Sequence, residues 1–334
     1  MRTASVMTGL MVMAIIGFLI FENSQAEEPA QIGVLVTESS RMEKLTGIED
    51  GLADLGFADD DVVFHVYEEE DPGLLLSVAT DLVHADYDLI TAFGGIETQV
   101  LQEAMDGTES HTPVVFVGMA APMETGIIER FEAPGGQFTG IANHHLSLSA
   151  KRVELFTDAL PELEAVVLLY NASIDISERS LAMALEAADE LQINALAFDV
   201  GDVFDAEALN GVLGPNTGLM TLPSFVIEGM TGELAEFAMA KDVPLMGIYD
   251  DEASAGFLMS YGSSFYDQGY QAARQVSMLL SGNDPENLPV ELPDQLLFHV
   301  NDDVARELGV TLNEDILRLA EPVPSEQGGV LDAQ

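Results

Sequence analysis

The stretch IGVLVTESSRMEKLTGIEDGLADLG, residues 32–56, carries the whole architecture in miniature. IGVLV at 32–36 is an unbroken apolar run, the composition of a strand covered on both faces of a parallel sheet. Leu45, Ile48, Leu52 and Leu55 then fall on one stripe at helical spacing, and Gly56 stands where a helix stops, so the spacing predicts a helix over 43–55. Between the two lies the polar string Thr37-Glu38-Ser39-Ser40.

The same unit recurs downstream. VVFHVY (62–67) precedes a helix at 74–83, DLITAF (88–93) precedes one at 97–105, and PVVFVG (113–118) closes the first series. PGGQFTGIAN (134–143) forms the seam, its Pro-Gly-Gly marking a turn and the residues after it a short strand. The second series predicts a helix at 150–160, AVVLLY (165–170), a helix at 177–191, NALAFDV (194–200), a short helix at 206–212, GLMTL (218–222) and a helix at 228–241. PLMGIY (244–249), GFLMSY (256–261), a long helix at 268–280, a strand at 296–300 and a helix at 302–308 complete it. Repeated strand–helix units imply an α/β fold of two doubly wound, Rossmann-like lobes with right-handed crossovers. A ligand crevice is expected outside the carboxyl ends of the strands.

The length of 334 residues fits two domains at ~150 residues each. With no cysteine there is no disulfide framework, thiolate metal site or cysteine nucleophile. The balance of 58 Asp+Glu against 11 Lys+Arg, a formal −47, excludes nucleic-acid binding and disfavours anionic membrane surfaces, because too few cations exist to neutralise phosphates. The acids are spread along the chain as solvated faces, and self-repulsion of this size destabilises a compact state in dilute buffer.

Val6 to Phe21 form one apolar run after Arg2, followed by Ser24-Gln25-Ala26, the layout of a secretory signal cleaved after Ala26. An uncleaved anchor is the alternative. Either way the chain is expected to work outside the cytoplasm, and cleavage leaves the net charge at −47. Residues 321–334 hold little apolar material and are expected to form a flexible tail.

Motifs for bond-making chemistry are missing. There is no phosphate-binding glycine loop with its lysine, no GxGxxG after a strand and no GxSxG elbow. His144-His145 is the one tempting metal pair, but neighbours on a strand face opposite ways, which favours a structural role between domains. Neither a cofactor nor catalysis is expected, although fold alone does not exclude a hydrolase. What remains is small or polar residues at strand ends: Thr37 and Glu38, Gly94 and Gly95, Gly118 and Met119, Asn171 and Ser173, Ser224 and Phe225, Tyr249 and Asp250. Ordinary turn chemistry favours such residues at any one position. Together they place polar ends of both halves where one cleft forms, with the bare N–H groups at Gly94-Gly95 suited to a ligand carboxylate.

In order along residues 31–319, PVVFVG, PGGQFTGIAN, VVLLYNAS, SSFYDQGYQAA and LPVELPDQLLFHVNDDVARELGV resemble the ABC-transporter substrate-binding proteins of the tryptophan/tyrosine type, which have the type I periplasmic-binding-protein fold. The resemblance implies two lobes joined by three hinge crossovers, closing on a small molecule such as an amino acid or related compound, and docking as a monomer on the membrane subunits of an ABC permease. A ligand-sensing module for a membrane receptor is the alternative output. On that pattern the first lobe comprises 31–142 plus 262–290 and the second 143–261 plus 291–320. The chain departs from the family at Ala121-Pro122-Met123, at Ser264 and at Ser224-Phe225-Val226, where the family carries acidic or Asp-Asn-like residues. Glu38 and Asp250 remain as candidate amine partners, and Tyr249, Phe225, Phe265 and Met119 as apolar walls.

At about 1 M salt the Debye length falls to ~3 Å, which screens most of the self-repulsion, so the charge balance is that expected of an acidic, halophilic protein adapted to a saline exterior. The melting temperature should therefore rise clearly between ~10 mM and ~1 M salt; equal values at both ends would contradict adaptation to a saline exterior.

Overall fold

Two parallel sheets organise the chain, and the chain passes between them three times. The structure, a computed structural model, describes residues 28–323. The signal segment expected at 1–26 lies outside the described residues, as do 324–334 of the expected tail.

The first sheet is built from β1 (Ala30–Val36), β2 (Val62–Glu68), β3 (Leu89–Ala92), β4 (Val114–Met119) and β5 (Phe138–Ala142). Its order is β2-β1-β3-β4-β5, with every pairing parallel. A 3-10 turn (Ser39–Met42) and α1 (Glu43–Asp54) follow β1, α2 (Pro72–His84) follows β2, and α3 (Gly95–Met105) follows β3. Asp71 caps α2 by accepting from the Gly73 N–H, with Pro72 in the first turn.

The second half runs α4 (His145–Ala159), β6 (Ala165–Tyr170), α5 (Asp175–Glu190), β7 (Asn194–Asp199), α6 (Ala206–Asn210), β8 (Thr217–Thr221), α7 (Phe225–Glu228) and α8 (Thr231–Ala240). It continues with β9 (Leu245–Gly247), α9 (Asp250–Ser254) and β10 (Met259–Gly262). After α10 (Phe265–Leu280) come β11 (Leu297–Val300), α11 (Asp302–Leu308), α12 (Glu314–Leu317) and the short β12 (Glu321–Pro322). The second sheet has the order β12-β11-β10-β9-β8-β6-β7, with β10 and β11 the one antiparallel pair among the described residues.

Several element boundaries differ from the sequence expectation for local reasons. The helix expected at 150–160 begins at His145, because Asn143 Oδ1 accepts the His145 N–H and His144 adopts a left-handed φ of 64° just before it. The helix expected at 228–241 is two pieces: Ser224 caps α7, and the chain restarts at Thr231 after Gly229. The first two residues of the expected tail, Glu321 and Pro322, instead pair with His299 and Val300 of β11. Ser264, where the resembled family carries an acid, is the N-cap of α10 and accepts the Asp267 N–H.

The three passages lie between β5 and α4, between β10 and α10, and between α10 and β11. The third runs beside the end of β5, where the Ala142 N–H donates to the Glu291 carbonyl and the Glu291 N–H to the Gly140 carbonyl. Apolar clusters cover both faces of each sheet. A small fifth cluster of Ile248, Tyr249 and Phe265 joins β9's end to the start of α10, with the Tyr249 and Phe265 ring centroids 4.5 Å apart.

Although α10 follows the second sheet's strands, it packs on α1 beside the first sheet. The two helix backbones approach closely because Gly47 and Gly51 of α1 face α10, and Gly269 of α10 faces α1; a Cβ on Gly269 would overlap the Lys44 carbonyl. Overpacking of this sort costs about 1–3 kcal/mol. Gly269→Ala should lower unfolding free energy by about that amount or more in a urea titration; a neutral result would show that the helices have room to separate.

Candidate functional site: the cleft between the two sheets

The carboxyl ends of both sheets meet around a cavity of about 360 Å³. Arg41 and Lys44 follow β1, Gly94, Gly95 and Ile96 follow β3, Gly118, Met119 and Ala120 end β4, and Asn143 and His145 follow β5. The second sheet contributes Ser173 to Ile176 after β6, Pro223 to Phe225 and Glu228 after β8, and Tyr249 after β9.

The dominant feature of the wall is a buried cation shared between halves. Arg41, 5% exposed, points Nε and Nη2 at Glu228 Oε1 and Oε2 at 2.7 and 2.8 Å, a bidentate pair. Its Nη1 donates to Glu97 Oε1 at 2.7 Å and to Thr37 Oγ1 at 3.1 Å. Glu97 Oε1 also accepts the Thr37 N–H and the Thr37 hydroxyl, at 3.0 and 2.7 Å. Glu97 is on α3 of the first half and Glu228 on α7 of the second, so one guanidinium ties the two halves across the cleft. Burial works against the Arg41 charge, but Glu228 and Glu97 outweigh it and hold the guanidinium pKa well above its ordinary value. Burial alone would raise the Glu97 carboxyl; Arg41 and the Thr37 hydroxyl reverse this and hold it below the usual range.

Lys44 is equally buried but has no carboxylate partner among the described residues. Its ammonium donates to the carbonyls of Phe93 and Val117 at 2.8 and 3.0 Å, and lies 4.7 Å from the centroid of the Phe265 ring. Burial, aided by Arg41 nearby, lowers its pKa to about 7. Two glycines make room for these cations. A side chain at Gly94 would come within 2.6 Å of Arg41 Nη1 and 2.7 Å of Glu97 Oε2. Gly118 sits at φ +83° in an irregular step of the β4–β5 ladder, and a Cβ there would overlap Gln268 Oε1.

Of the residues singled out by sequence, Gly94, Gly95, Gly118, Met119, Ser173, Ser224, Phe225 and Tyr249 lie on the cavity wall. Thr37 sits behind it as a partner of Glu97. Glu38 precedes the 3-10 turn and faces Gly229 of the second half. Asn171 is occupied structurally: its Nδ2 donates to the Gly201 carbonyl and its Oδ1 accepts from the Ser173 N–H and hydroxyl. Asp250 begins α9 outside the wall. His144 and His145 are not on a strand but at the first passage between sheets, where Arg152 Nη2 lies 2.6 Å from His145 Nδ1. Burial and Arg152 hold the His145 pKa well below its ordinary value. Among the described residues no cluster of His, Asp and Glu is arranged to hold a metal ion.

Sequence reasoning missed Arg41, Lys44, Glu97 and Glu228. One signal was available: in a chain with only 11 basic residues, two stand within eight positions of the end of the first strand.

A pair of largely parallel α/β lobes with three passages and a crevice between their strand ends is the fold of the type I periplasmic binding proteins. Residues 30–323 match the family described as ABC transporter substrate binding protein, and the chain belongs to that family. It is similar to a tyrosine-binding protein of Clostridioides difficile (strain R20291), 22% identical over 289 residues, covering 86% of this chain and 82% of the relative. Among solved structures it resembles an ABC domain from Streptococcus pneumonia in complex with L-Trp, with a TM-score of 0.78 at 22% identity, covering 89% of this chain and all of that one. It also resembles a conserved domain protein from Vibrio cholerae, with a TM-score of 0.79 at 20% identity, covering 88% and 99%. Members of the family bind small solutes for ABC transporters outside the cytoplasm, and as a class they bind rather than transform them.

Removing one partner of a buried ion pair leaves an uncompensated charge and costs about 3–5 kcal/mol. Glu97→Ala should lower unfolding free energy by about that amount, measured by denaturant titration. A loss under about 1 kcal/mol would mean that the pair behaves like an exposed one.

Proposed function

We propose that this chain captures a small carboxylate-bearing solute with an apolar body in the inter-lobe cavity, closes on it about the three passages, and delivers it as a monomer to the membrane subunits of an ABC permease. Export through the N-terminal apolar segment belongs to the same reading. The observation that carries it is the Arg41 bridge: the cavity wall holds a guanidinium anchored on Glu97 of one lobe and paired with Glu228 of the other. A solute touching both lobes adds to that closed form and to no other, which is the condition for shifting a hinge equilibrium.

The wall chemistry supports the solute class. Lys44 is a buried cation without a carboxylate partner among the described residues, and it shares the cavity wall with Gly95 and Ile96 at the start of α3; a helix N-terminus and a cation both suit a carboxylate. Ile96, Met119, Ile174, Ile176, Pro223 and Phe225 supply an apolar surface, and the volume is that of a small-molecule pocket. The wall carboxylates are Asp175 and Glu228. Glu228 has both oxygens on Arg41, which leaves Asp175, shared with Arg179 at 2.6 Å, to meet a ligand ammonium. This takes over the role that sequence reasoning gave to Glu38 and Asp250. Tyrosine and tryptophan, named for the relatives, fit these requirements.

Titration calorimetry with L-tyrosine and L-tryptophan checks this directly. One of them should bind one-to-one, and Lys44→Met and Phe225→Ala should each weaken it at least tenfold, about 1.4 kcal/mol. Undiminished binding in both variants, or no one-to-one binding of either amino acid, would contradict the assignment.

A further inference from the structure

Closure sets acid against acid along the seam beside Arg41. On the first lobe's side stand Glu38, Glu43 at the start of α1, and Asp267 in the first turn of α10. On the second lobe's side stand Glu228, and Asp250 and Asp251 at the start of α9. The approach is close: a Cβ on Gly229, next to Glu228, would lie 3.4 Å from Glu38 Oε1. Asp250 and Asp251 each have an Oδ1 that is shut off from water and lacks a hydrogen-bond partner among the described residues.

The neighbouring cations do not neutralise this seam. Arg41 is committed to Glu97 and Glu228, and Lys44 is bonded to the carbonyls of Phe93 and Val117. The strands packed against α9 bring Tyr261 from β10 and His299 from β11, the latter 3.3 Å from the Glu321 carbonyl. Asn301, just after β11, donates to the Ala253 carbonyl at the far end of α9. No positive group among these faces Asp250 or Asp251.

We propose that the seam makes closure of the cleft proton-linked, so that mild acid drives the ligand-free protein toward its closed form by neutralising carboxylates that face one another across the lobes. The inference rests on the hinge-closure reading and adds a regulation to it.

The direction follows from where the protons sit. In the closed form burial, then Glu43 and Asp267, push Asp250 up to about 6. Burial, then Asp250, Glu228 and Glu43, push Asp251 up to about 7. Burial and Glu228 raise Glu38, though Arg41 opposes them, and burial and Glu321 raise Asp267. Opening returns water to these groups and separates them, so their pKa values fall toward the ordinary carboxylate range near ~4. The closed form therefore holds more protons than the open form. Its advantage is complete below the open-state values and is lost as pH rises through about 6 to 7. Glu252 is a different case. Burial and Asp251 push it up to about 8, but it accepts the Ile248 and Tyr249 N–H groups inside its own lobe, so opening leaves its surroundings intact.

The absence of cysteine allows a clean distance measurement. Leu74 and Val203, 53% and 80% exposed, follow the outer strands β2 and β7 on the cleft side of each lobe. Spin labels on Leu74→Cys and Val203→Cys, read by pulsed dipolar spectroscopy on ligand-free full-length protein, report the ratio of closed to open forms. The ratio should rise at least tenfold, the equivalent of ~1 pKa unit, between pH 8.5 and pH 5. Asp250→Asn with Asp251→Asn should hold the closed form at pH 8.5 and flatten the response. Glu43→Gln, which changes the other lobe and leaves α9 intact, should reduce the response without abolishing it and serves if the double variant does not fold. A ratio constant within twofold across this range, or a full pH response surviving in the double variant, overturns the inference. Arg41→Ala separates the two failures. If it lengthens the distance while pH does not change it, hinge closure stands and proton linkage fails; if neither changes it, the hinge reading fails with it.

Discussion

One guanidinium holds the account together. Arg41 is buried between Glu97 of its own lobe and Glu228 of the other, and each of its three guanidinium nitrogens is hydrogen-bonded. Taking a charge out of water is expensive, so such a group persists only where its partners are fixed with good geometry. On the proposed hinge closure, Glu97 is the partner fixed in the same lobe and Glu228 the one that arrives when the cleft shuts. On that reading the desolvation cost of Arg41 is offset by two carboxylates when the cleft is shut and by Glu97 alone when it opens. That asymmetry makes closure sensitive to whatever else fills the cavity.

The fold exists to deliver that arrangement. Parallel strands end together, and their carboxyl-end loops from two sheets converge on a volume of about 360 Å³. The α1–α10 contact, with glycines where the backbones touch, anchors the returning chain to the first lobe. Beside it the passage from β10 through Ser263 and Ser264 stays short, and Phe265 packs on Tyr249 of the opposite lobe. The same closeness that lets Glu228 reach Arg41 also brings Glu38 of one lobe beside Gly229 of the other. Attraction at one point of the seam and repulsion along the rest leave a small difference, and a small difference is what a solute or a proton can tip.

The sheets were legible in the sequence because strands buried on both faces carry no polar alternation, so IGVLV and AVVLLY stand out as continuous runs. The glycine and serine positions of the wall were legible for a related reason, since turns after strands need them. The buried charges were not. Arg41 and Lys44 sit in a polar string that reads as an ordinary helix entrance. Their partners lie 56 and 187 residues further on for Arg41, and for Lys44 they are main-chain carbonyls that have no residue signature. Glu38 and Asp250 drew attention as acids at strand ends, yet they belong to the repulsive seam rather than the wall. Residue type at a strand end reports proximity to the cleft; which side of the wall a carboxylate occupies depends on contacts between distant segments.

The central claim is that a solute is held by the two lobes together, with Arg41 and Glu228 completing the enclosure. Native mass spectrometry of freshly purified protein addresses it most directly, comparing the unaltered chain with Glu228→Ala. The account predicts one small molecule per chain in the former and a bare chain in the latter. A molecule retained equally by both would show that a single lobe suffices, and the account would be wrong.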